Sequence, residues 1–297
     1  MQKKYLFLTI AAAIGWGFSG TCSEHLFKAY QTNGEWLTSV RLLSAGTILI
    51  LIGLLRGQKA SLFGILKDKK DLPILLLFSV FGMMAVQYTY LTAIKCTNSG
   101  TATVLQYTGP AFVLLYVCTL MRRFPSWKES TSLLGMVIGA FLIATHGRMD
   151  SLIISQEGLF WGILSAIFLA VHDIIPVQIT RRWGSMTITG WAMFFGGIVL
   201  FLLTMPIHYQ PHLTLDACLT FIGLVLIGTV FSFTAFLSGV SQIGPVNASI
   251  ICCIEPIAAS IFSYLWVGTQ FSLYDIIGMV IILIAVLVIT LSPQNNQ

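Results

Sequence analysis

The chain has 297 residues, of which 56% are hydrophobic and only 9% are charged. A soluble domain carries about a quarter charged residues, so this composition excludes a soluble protein and indicates one embedded in a membrane. The net charge of +5 does not indicate a nucleic-acid partner, because the basic residues are spread over the short segments between long apolar runs.

Ten apolar runs follow one another along the chain, and each approaches the ~20 residues that cross a bilayer as a helix. We number these predicted spans 1 to 10 in chain order. They cover residues 5–26, 36–55, 72–94, 101–120, 130–146, 158–180, 186–206, 214–240, 245–267 and 271–292. The segments between them are short, so neighbouring helices must pack antiparallel. The sequence therefore predicts an all-α integral membrane protein with ten transmembrane helices.

The basic residues predict the orientation of the chain. With the N-terminus inside, twelve Lys and Arg residues fall in inner segments and three in outer segments. The positive-inside rule then places both termini in the cytoplasm of a multi-pass protein of the plasma membrane. The longest polar segment, 56–71, is interpreted as part of this orientation signal. Binding of anionic lipid headgroups is the alternative, and membrane lipids are expected partners in either case.

The chain also repeats itself. Residues 78–110 match residues 224–256 when they are shifted by 146 positions, with Gly82 on Gly228 and Pro110 on Pro256. The match continues in spans 5 and 10, where 133–138 corresponds to 276–281. Two halves, 1–146 and 147–297, thus hold five spans each. Because five is odd, the halves must enter the membrane in opposite orientations, as inverted repeats of transporters do.

Prolines interrupt three spans. Pro110 and Pro256 lie in spans 4 and 9, and each deprives the carbonyl four residues earlier of its usual hydrogen bond. These carbonyls belong to Gln106 and Cys252. Lipid cannot satisfy them, so we expect them to face protein or a wet cavity, the alternative being kinks that serve packing only. Pro176 makes span 6 irregular in the same way.

Ionisable residues inside spans are costly, and each is a functional hypothesis. Glu255, near the middle of span 9, is the strongest candidate because a carboxyl group there can exchange a proton or pair with an ammonium group of a substrate. Asp173, beside His172 in span 6, is a second candidate. The structural alternatives are a protonated Glu255 bonded to a neighbouring helix and a local hydrogen-bonded kink at Asp173.

Arg41 and Glu24 are predicted at similar depth on spans 2 and 1. We interpret them as a structural ion pair near the outer surface. The alternatives are an outer gate or an anchor for a substrate carboxylate, since the donors of Arg form a fork that suits a planar carboxylate.

Polar and aromatic side chains in spans 1, 3 and 4 are candidates for the lining of a substrate cavity. They are Trp16, Gln87, Tyr88, Gln106 and Tyr107. Tyr88 and Tyr90 are two residues apart and cannot share one helix face, so one can line the cavity while the other packs. Carboxylates near aromatic rings suit a cation or a zwitterion with an amine.

These features together resemble the EamA-domain branch of the drug/metabolite transporter superfamily. The resemblance rests on ten spans in two halves, the two mid-span prolines, Gly15-Trp16-Gly17, Arg41-Leu42-Leu43, Gly135-Met136-Val137-Ile138 and Gly278-Met279-Val280-Ile281. It implies a ten-helix carrier with a central cavity lined by spans 1, 3, 4, 6, 8 and 9, which moves small metabolites, often amino acids outward. The Glu that relatives often carry before spans 5 and 10 is missing here.

The sequence thus predicts a secondary carrier for an amino acid or another amine-bearing solute, with protons as a candidate coupling ion. Import of a sugar, nucleoside or quaternary amine is the alternative, and a membrane-embedded transferase is a remote one. The sequence contains no phosphate-binding loop, no cluster of catalytic residues and no spaced metal-binding motif. We therefore expect no cofactor, no metal and no enzymatic activity. The oligomeric state is left open between a monomer and a homodimer.

Overall fold

A computed structural model describes residues 2–147, 153–206, 209–211, 214–243, 248 and 251–291. In these parts the chain is built from helices and their connections, which confirms the prediction of an all-helical protein. The helices of predicted spans 1 to 5 are Gln2–Tyr30, Gly34–Leu55, Asp71–Cys96, Ser99–Gln106 with Gly109–Leu120, and Trp127–Thr145. Those of spans 6 to 10 are Gln156–Ile174 with Val177–Trp183, Ser185–Thr204, Leu215–Val225 with Ser232–Ile243, Ile254–Phe262, and Leu273–Leu291.

Eight helices among the described residues are long and apolar enough to cross a membrane, which makes this a multi-pass membrane protein. They coincide with predicted spans 1 to 8. Spans 9 and 10 coincide with shorter apolar stretches, Ile254–Val267 and Leu273–Val288. The number of ten membrane-crossing helices therefore stays a prediction.

The ends of several helices follow from local side chains that accept the first free backbone N–H groups. Asn33 accepts a hydrogen bond from the Trp36 N–H at 2.7 Å and starts span 2. Asn98 does the same for span 4, where the Thr101 N–H donates to its side chain at 2.8 Å. Ser126 forms a capping box at the start of span 5.

The three predicted prolines lie at interruptions of helices. Span 4 is broken between Gln106 and Gly109, directly before Pro110. Span 6 is broken between Ile174 and Val177, around Pro176. In span 9 a helix begins at Ile254, so that Pro256 lies in its first turn, where a missing N–H costs no hydrogen bond.

Two spans contain π-helical segments at matching places of the two halves. Span 3 is π-helical over Phe78–Met84, and span 8 over Leu226–Phe231. The shift between them is close to the offset of 146 that relates the two halves in sequence. A third π segment, Ser263–Val267, ends span 9. π turns inside helices are uncommon, and many of those that occur lie at functional sites.

The spans of one half pack against those of the other. Span 2 packs on span 7, span 5 on span 10, span 3 on span 6, and span 1 on spans 8 and 9. Glycines permit the closest approaches. At the crossing of spans 5 and 10, a Cβ added to Gly139 would lie 2.8 Å from the carbonyl oxygen of Gly278, and one added to Gly278 would lie 2.7 Å from that of Gly139.

We call the end of the bundle that carries the 56–71 segment the inner end, following the predicted orientation, and the opposite end the outer end. At the inner end Arg182 forms ion pairs with Asp68 at 2.9 Å and Asp71 at 2.8 Å. The backbone N–H groups of Asp71 and Lys70 also donate to the Asp68 carboxylate, and this hydrogen bonding holds the pKa of Asp68 below its usual value. These contacts join the segment between spans 2 and 3 to the end of span 6.

Candidate functional site

The helix break of span 4 meets that of span 9 at Tyr107 and Glu255. The Tyr107 hydroxyl lies 3.0 Å from Oε2 of Glu255 and 2.6 Å from the carbonyl oxygen of Cys252. Cys252 directly precedes the helix break at Cys253, so its carbonyl lies at a helix end, where the Tyr107 hydroxyl donates to it. Both Tyr107 and Glu255 are half-buried.

A phenol has one proton but here it has two acceptors. Donation to the Cys252 carbonyl at 2.6 Å uses that proton in the shorter of the two contacts. The contact to Glu255 is then best satisfied when the carboxyl group carries a proton of its own and donates it to the phenol oxygen. The pair can therefore exist in two hydrogen-bonding arrangements that differ by one proton on Glu255.

Span 1 approaches the backbone of span 9 beside Glu255, and Gly17 permits this approach. A Cβ at Gly17 would lie 2.7 Å from the Ala259 nitrogen and 2.8 Å from the carbonyl oxygen of Glu255. Its neighbour Trp16 turns to span 8, where its ring contacts Phe233 at 5.3 Å and Phe236 at 5.1 Å between centroids. Trp16 therefore packs on span 8, while Gly17 sets the distance between spans 1 and 9.

The replacement Gly17→Ala should destabilise the protein, because the added methyl group collides with backbone atoms that cannot rotate away. Overpacking of this kind costs about 1–3 kcal/mol, which corresponds to a fall of roughly 3–10 °C in the melting midpoint. Gly34→Ala is the matched control, since nothing lies within 4 Å of a Cβ there. Equal melting midpoints for the two variants in detergent would show that spans 1 and 9 are not packed as described.

The polar residues of span 3 contact spans other than span 9. The Tyr88 hydroxyl donates to Glu35 of span 2 at 3.4 Å, and its ring packs edge-on against Trp161 of span 6. The Tyr90 hydroxyl is buried and lies 2.7 Å from Thr103. Oε1 of Gln87 is buried and has no hydrogen-bond partner among the described residues. Gln106 is buried at the break of span 4.

Asp173 lies in a different setting from Glu255. Its side chain is 52% exposed, and it pairs with the adjacent His172 at 3.0 Å. The His172 ring also packs against Phe78 of span 3. No contact in the described part of the chain joins Asp173 to Glu255, so the two candidate carboxyl groups lie in separate surroundings.

The predicted ion pair between Glu24 and Arg41 is not formed. Arg41 is 3% exposed, and its Nε donates to the Thr229 hydroxyl at 3.1 Å while its Nη2 donates to the Ser19 hydroxyl at 3.0 Å. Glu24 turns instead to Lys28, one turn further along the same helix, at 2.8 Å. The prediction was wrong because equal depth on neighbouring helices does not fix the direction in which each side chain points.

Glu24 is the buried centre of a polar cluster at the outer end, which we call the Glu24 cluster: Glu24, Lys28, Ser99, Ser263 and Thr269. Glu24 is 1% exposed. Oε1 accepts from Lys28 at 2.8 Å and from Thr269 at 2.6 Å. Oε2 accepts from the Ser99 backbone N–H at 2.9 Å, the Ser99 hydroxyl at 2.8 Å and the Ser263 hydroxyl at 2.6 Å. The cluster thus joins span 1 to span 4 of its own half and to span 9 of the other.

The Ser99 N–H belongs to the first turn of a helix, where the backbone attracts negative charge. This explains how a carboxylate is held out of water by four hydroxyl and amide donors and a single cation. The sequence could have suggested the Glu24–Lys28 pair from the spacing of four residues. It gave no signal for Ser99, Ser263 and Thr269, which are common membrane residues far away in the chain.

A second polar group at the outer end was not anticipated from the sequence. His25 lies 2.8 Å from Asp216 at the start of span 8, and Tyr30 donates to the same carboxylate oxygen at 2.8 Å. The His25 ring stacks on Trp266 at 5.0 Å. In the part of the chain that the structure describes, no group of three or more His, Cys, Asp or Glu side chains could hold a metal ion.

Comparison with known proteins gives consistent results over nearly the whole chain. A family model described as the EamA-like transporter family matches residues 3–145 and, separately, 156–291. An uncharacterized inner membrane transporter of Salmonella typhimurium, YicL, is 38% identical over 99% of this chain and 97% of its own length. A probable terminal-alkyne amino-acid exporter of Streptantibioticus cattleyicolor is 21% identical over 67% of this chain and 66% of its own.

A solved crystal structure has a similar fold. It superposes with a TM-score of 0.64 and covers 97% of this chain and 96% of its own. The two sequences are 14% identical, so this likeness concerns the fold alone.

Proposed function

The chain belongs to the EamA-like transporter family, as its sequence predicted, and on that premise we propose that it is a secondary active carrier. It exports a small amine-bearing metabolite, an amino acid or a relative of one, by alternating access. The observation that carries the proposal is the contact of Tyr107 with Glu255, because it places an ionisable group where the broken helices of the two halves meet.

The proposed architecture is ten transmembrane helices in two inverted five-helix repeats, 1–146 and 147–297. Three observations support it. The family model matches the chain twice, the π segments of spans 3 and 8 lie at matching positions, and spans 5 and 10 cross at mutually facing glycines. In such carriers the halves rock against each other around a site near the bilayer midplane.

Glu255 is the proposed point of exchange. In one arrangement its carboxyl group is protonated and bonded to Tyr107, and in the other it is ionised and free to pair with a substrate ammonium group. Trp16, Gln87, Tyr88, Gln106 and Tyr107 are the proposed surrounding residues, and Asp173 is a second proposed proton site. The Glu24 cluster is the proposed closure of the outer end, because it joins span 1 to spans 4 and 9 there.

An amine is the proposed recognition element because the Glu255 carboxyl group lies next to the aromatic side chain of Tyr107. The exporter from Streptantibioticus cattleyicolor, whose name specifies an amino acid, supports the same substrate class. Import of a sugar, nucleoside or quaternary amine is the alternative outcome. Both relatives are named as transporters, which favours a carrier over the remote alternative of a membrane-embedded transferase.

Counterflow in proteoliposomes tests the proposal. Vesicles that contain the purified protein are loaded with one member of a panel of amino acids, amines, sugars and nucleosides, and uptake of the labelled counterpart is measured with and without a pH gradient. We expect exchange of amino acids or amines that depends on the gradient. Exchange confined to sugars or nucleosides would establish the alternative, and no exchange of any solute would contradict a carrier.

We further propose that both termini lie in the cytoplasm and that the protein resides in the plasma membrane. A green fluorescent protein fused to the C-terminus should then fluoresce, whereas alkaline phosphatase fused at the same place should be inactive. Fusions after residue 147, which follows span 5 at the outer end, should give the reverse result. The same result at both positions would contradict an odd number of spans in the second half.

A further inference from the structure

The guanidinium group of Arg41 is buried without a counter-ion. Its side chain is 3% exposed, and the two groups that it contacts, the Ser19 and Thr229 hydroxyls, are neutral. Among the described residues no carboxylate lies within 4.0 Å of it. A buried cation that lacks an opposite charge is strongly unfavourable, so this position favours an anion.

The hydrogen bonds of Arg41 are also incomplete. A guanidinium has five N–H groups. One bond from Nε and one from Nη2 are accounted for, whereas Nη1 is buried and has no acceptor among the described residues. The unused donors lie along one edge of a planar fork, the arrangement that binds a carboxylate or another small anion.

Arg41 lies in the interior of the helix bundle. Its head group lies between spans 1 and 8, and Thr229 belongs to the π segment Leu226–Phe231 of span 8. Glu255 packs against the same helix that Arg41 contacts, since a Cβ on Gly17, two residues before Ser19, would lie 2.8 Å from the carbonyl oxygen of Glu255. A buried cation and an exchangeable carboxyl group therefore lie near one another in the interior of the bundle.

We propose that Arg41 is the anion subsite of the carrier, which binds a small monovalent anion through its unused Nη1 donors. The anion is either the carboxylate of the transported solute or an inorganic anion such as chloride. The first source rests on the proposed function, and it narrows the substrate class to zwitterions, because Glu255 then takes the ammonium group and Arg41 the carboxylate. The anion enters when spans 1 and 8 separate during the cycle.

Thermal unfolding of the purified full-length protein in detergent tests the proposal. The melting midpoint is followed by tryptophan fluorescence while sodium HEPES, whose anion is bulky, is replaced by sodium chloride or sodium acetate at constant ionic strength. We expect both small anions to raise the midpoint saturably. In Arg41→Gln the half-saturating concentration should rise at least tenfold. The control Arg56→Gln changes an exposed arginine directly after the same helix and should leave the half-saturating concentration unchanged.

If Arg41→Gln does not fold, Arg41→Lys replaces it. Lysine keeps the charge but not the fork, so the half-saturating acetate concentration should still rise about fivefold. No saturable effect of chloride or acetate on the wild-type protein would overturn the proposal. An effect that is equal in the wild-type protein and in the Arg41 variant that folds would also overturn it.

The source of the anion is decided by competition. Glycine that displaces chloride, while glycinamide does not, identifies the substrate carboxylate. Chloride binding that no organic carboxylate displaces identifies an inorganic anion. Counterflow without any effect of anions on the melting midpoint would refute the anion subsite and leave the proposed carrier function standing. A saturable anion effect without counterflow of any solute would support the subsite and refute the carrier function.

Discussion

The replacement Glu255→Gln is expected to reduce transport by about ten- to a hundredfold while leaving the amount of folded protein close to normal. The amide keeps the size of the side chain and can still bond to Tyr107, but it cannot bind or release a proton. A hydrogen bond to a charged group contributes ~1.5–3 kcal/mol, and each 1.4 kcal/mol is a factor of ten in rate or affinity. Any dependence of transport on pH should flatten in the same variant.

Initial rates of counterflow between pH 5.5 and pH 8.5 measure both effects. Glu157→Gln is the matched control, because Glu157 is an exposed carboxylate at the start of span 6. A Glu255→Gln variant with the normal rate and the normal pH profile would make Glu255 a structural residue. The coupling hypothesis would then pass to Asp173.

The second large effect is expected for Glu24→Ala, which removes the common acceptor of the Glu24 cluster. Ser99, Ser263 and Thr269 would be left with donors that lack partners, and each such donor costs ~1–3 kcal/mol when it remains buried. We therefore expect the melting midpoint to fall by about 5 °C or more. We also expect the outer end to open, since the cluster joins span 1 to spans 4 and 9.

Opening can be measured with a native thiol. Cys22 is fully buried two residues before Glu24, and the other five cysteines can be replaced by alanine. A membrane-impermeant maleimide added outside should leave Cys22 unmodified in the parent and modify it in Glu24→Ala. Asp216→Asn, which changes a carboxylate that is 56% exposed at the same end, should have a much smaller effect. An unmodified Cys22 together with a normal melting midpoint would contradict the role of the cluster.

Much of the fold could be predicted because the bilayer restricts it. The long apolar runs predicted the helices, and the prolines predicted where three of them are interrupted. The helices in spans 1 to 8 agree with the predicted bounds to within a few residues. The π segments had no signal, since an apolar run has the same composition in an α or a π turn.

The candidate site could be predicted only in part. Depth along a span follows from counting residues, so Glu255, Arg41 and Glu24 were recognised as costly groups inside helices. Their partners depend on the rotation of each helix about its axis and on side chains more than a hundred residues away. Glu24 meets Ser263 and Thr269 of the other half, and Tyr107 meets Glu255, through contacts that no spacing within a half encodes.

The π segment of span 8 places a limit on which changes of length the chain can tolerate. A π turn holds one residue more than an α turn, so deletion of a single residue within 226–231 would restore a regular α-helix. The shortened segment would cover nearly the same total rotation, because a π turn spreads one full turn over about one residue more than an α turn does. The portions 215–225 and 232–243 would therefore keep their relative orientation, and Asp216 would stay beside His25. A deletion within 215–225 would instead turn the residues before it by about 100° and move Asp216 away from His25, so span 8 can lose a residue at the π segment but not in the helix that precedes it.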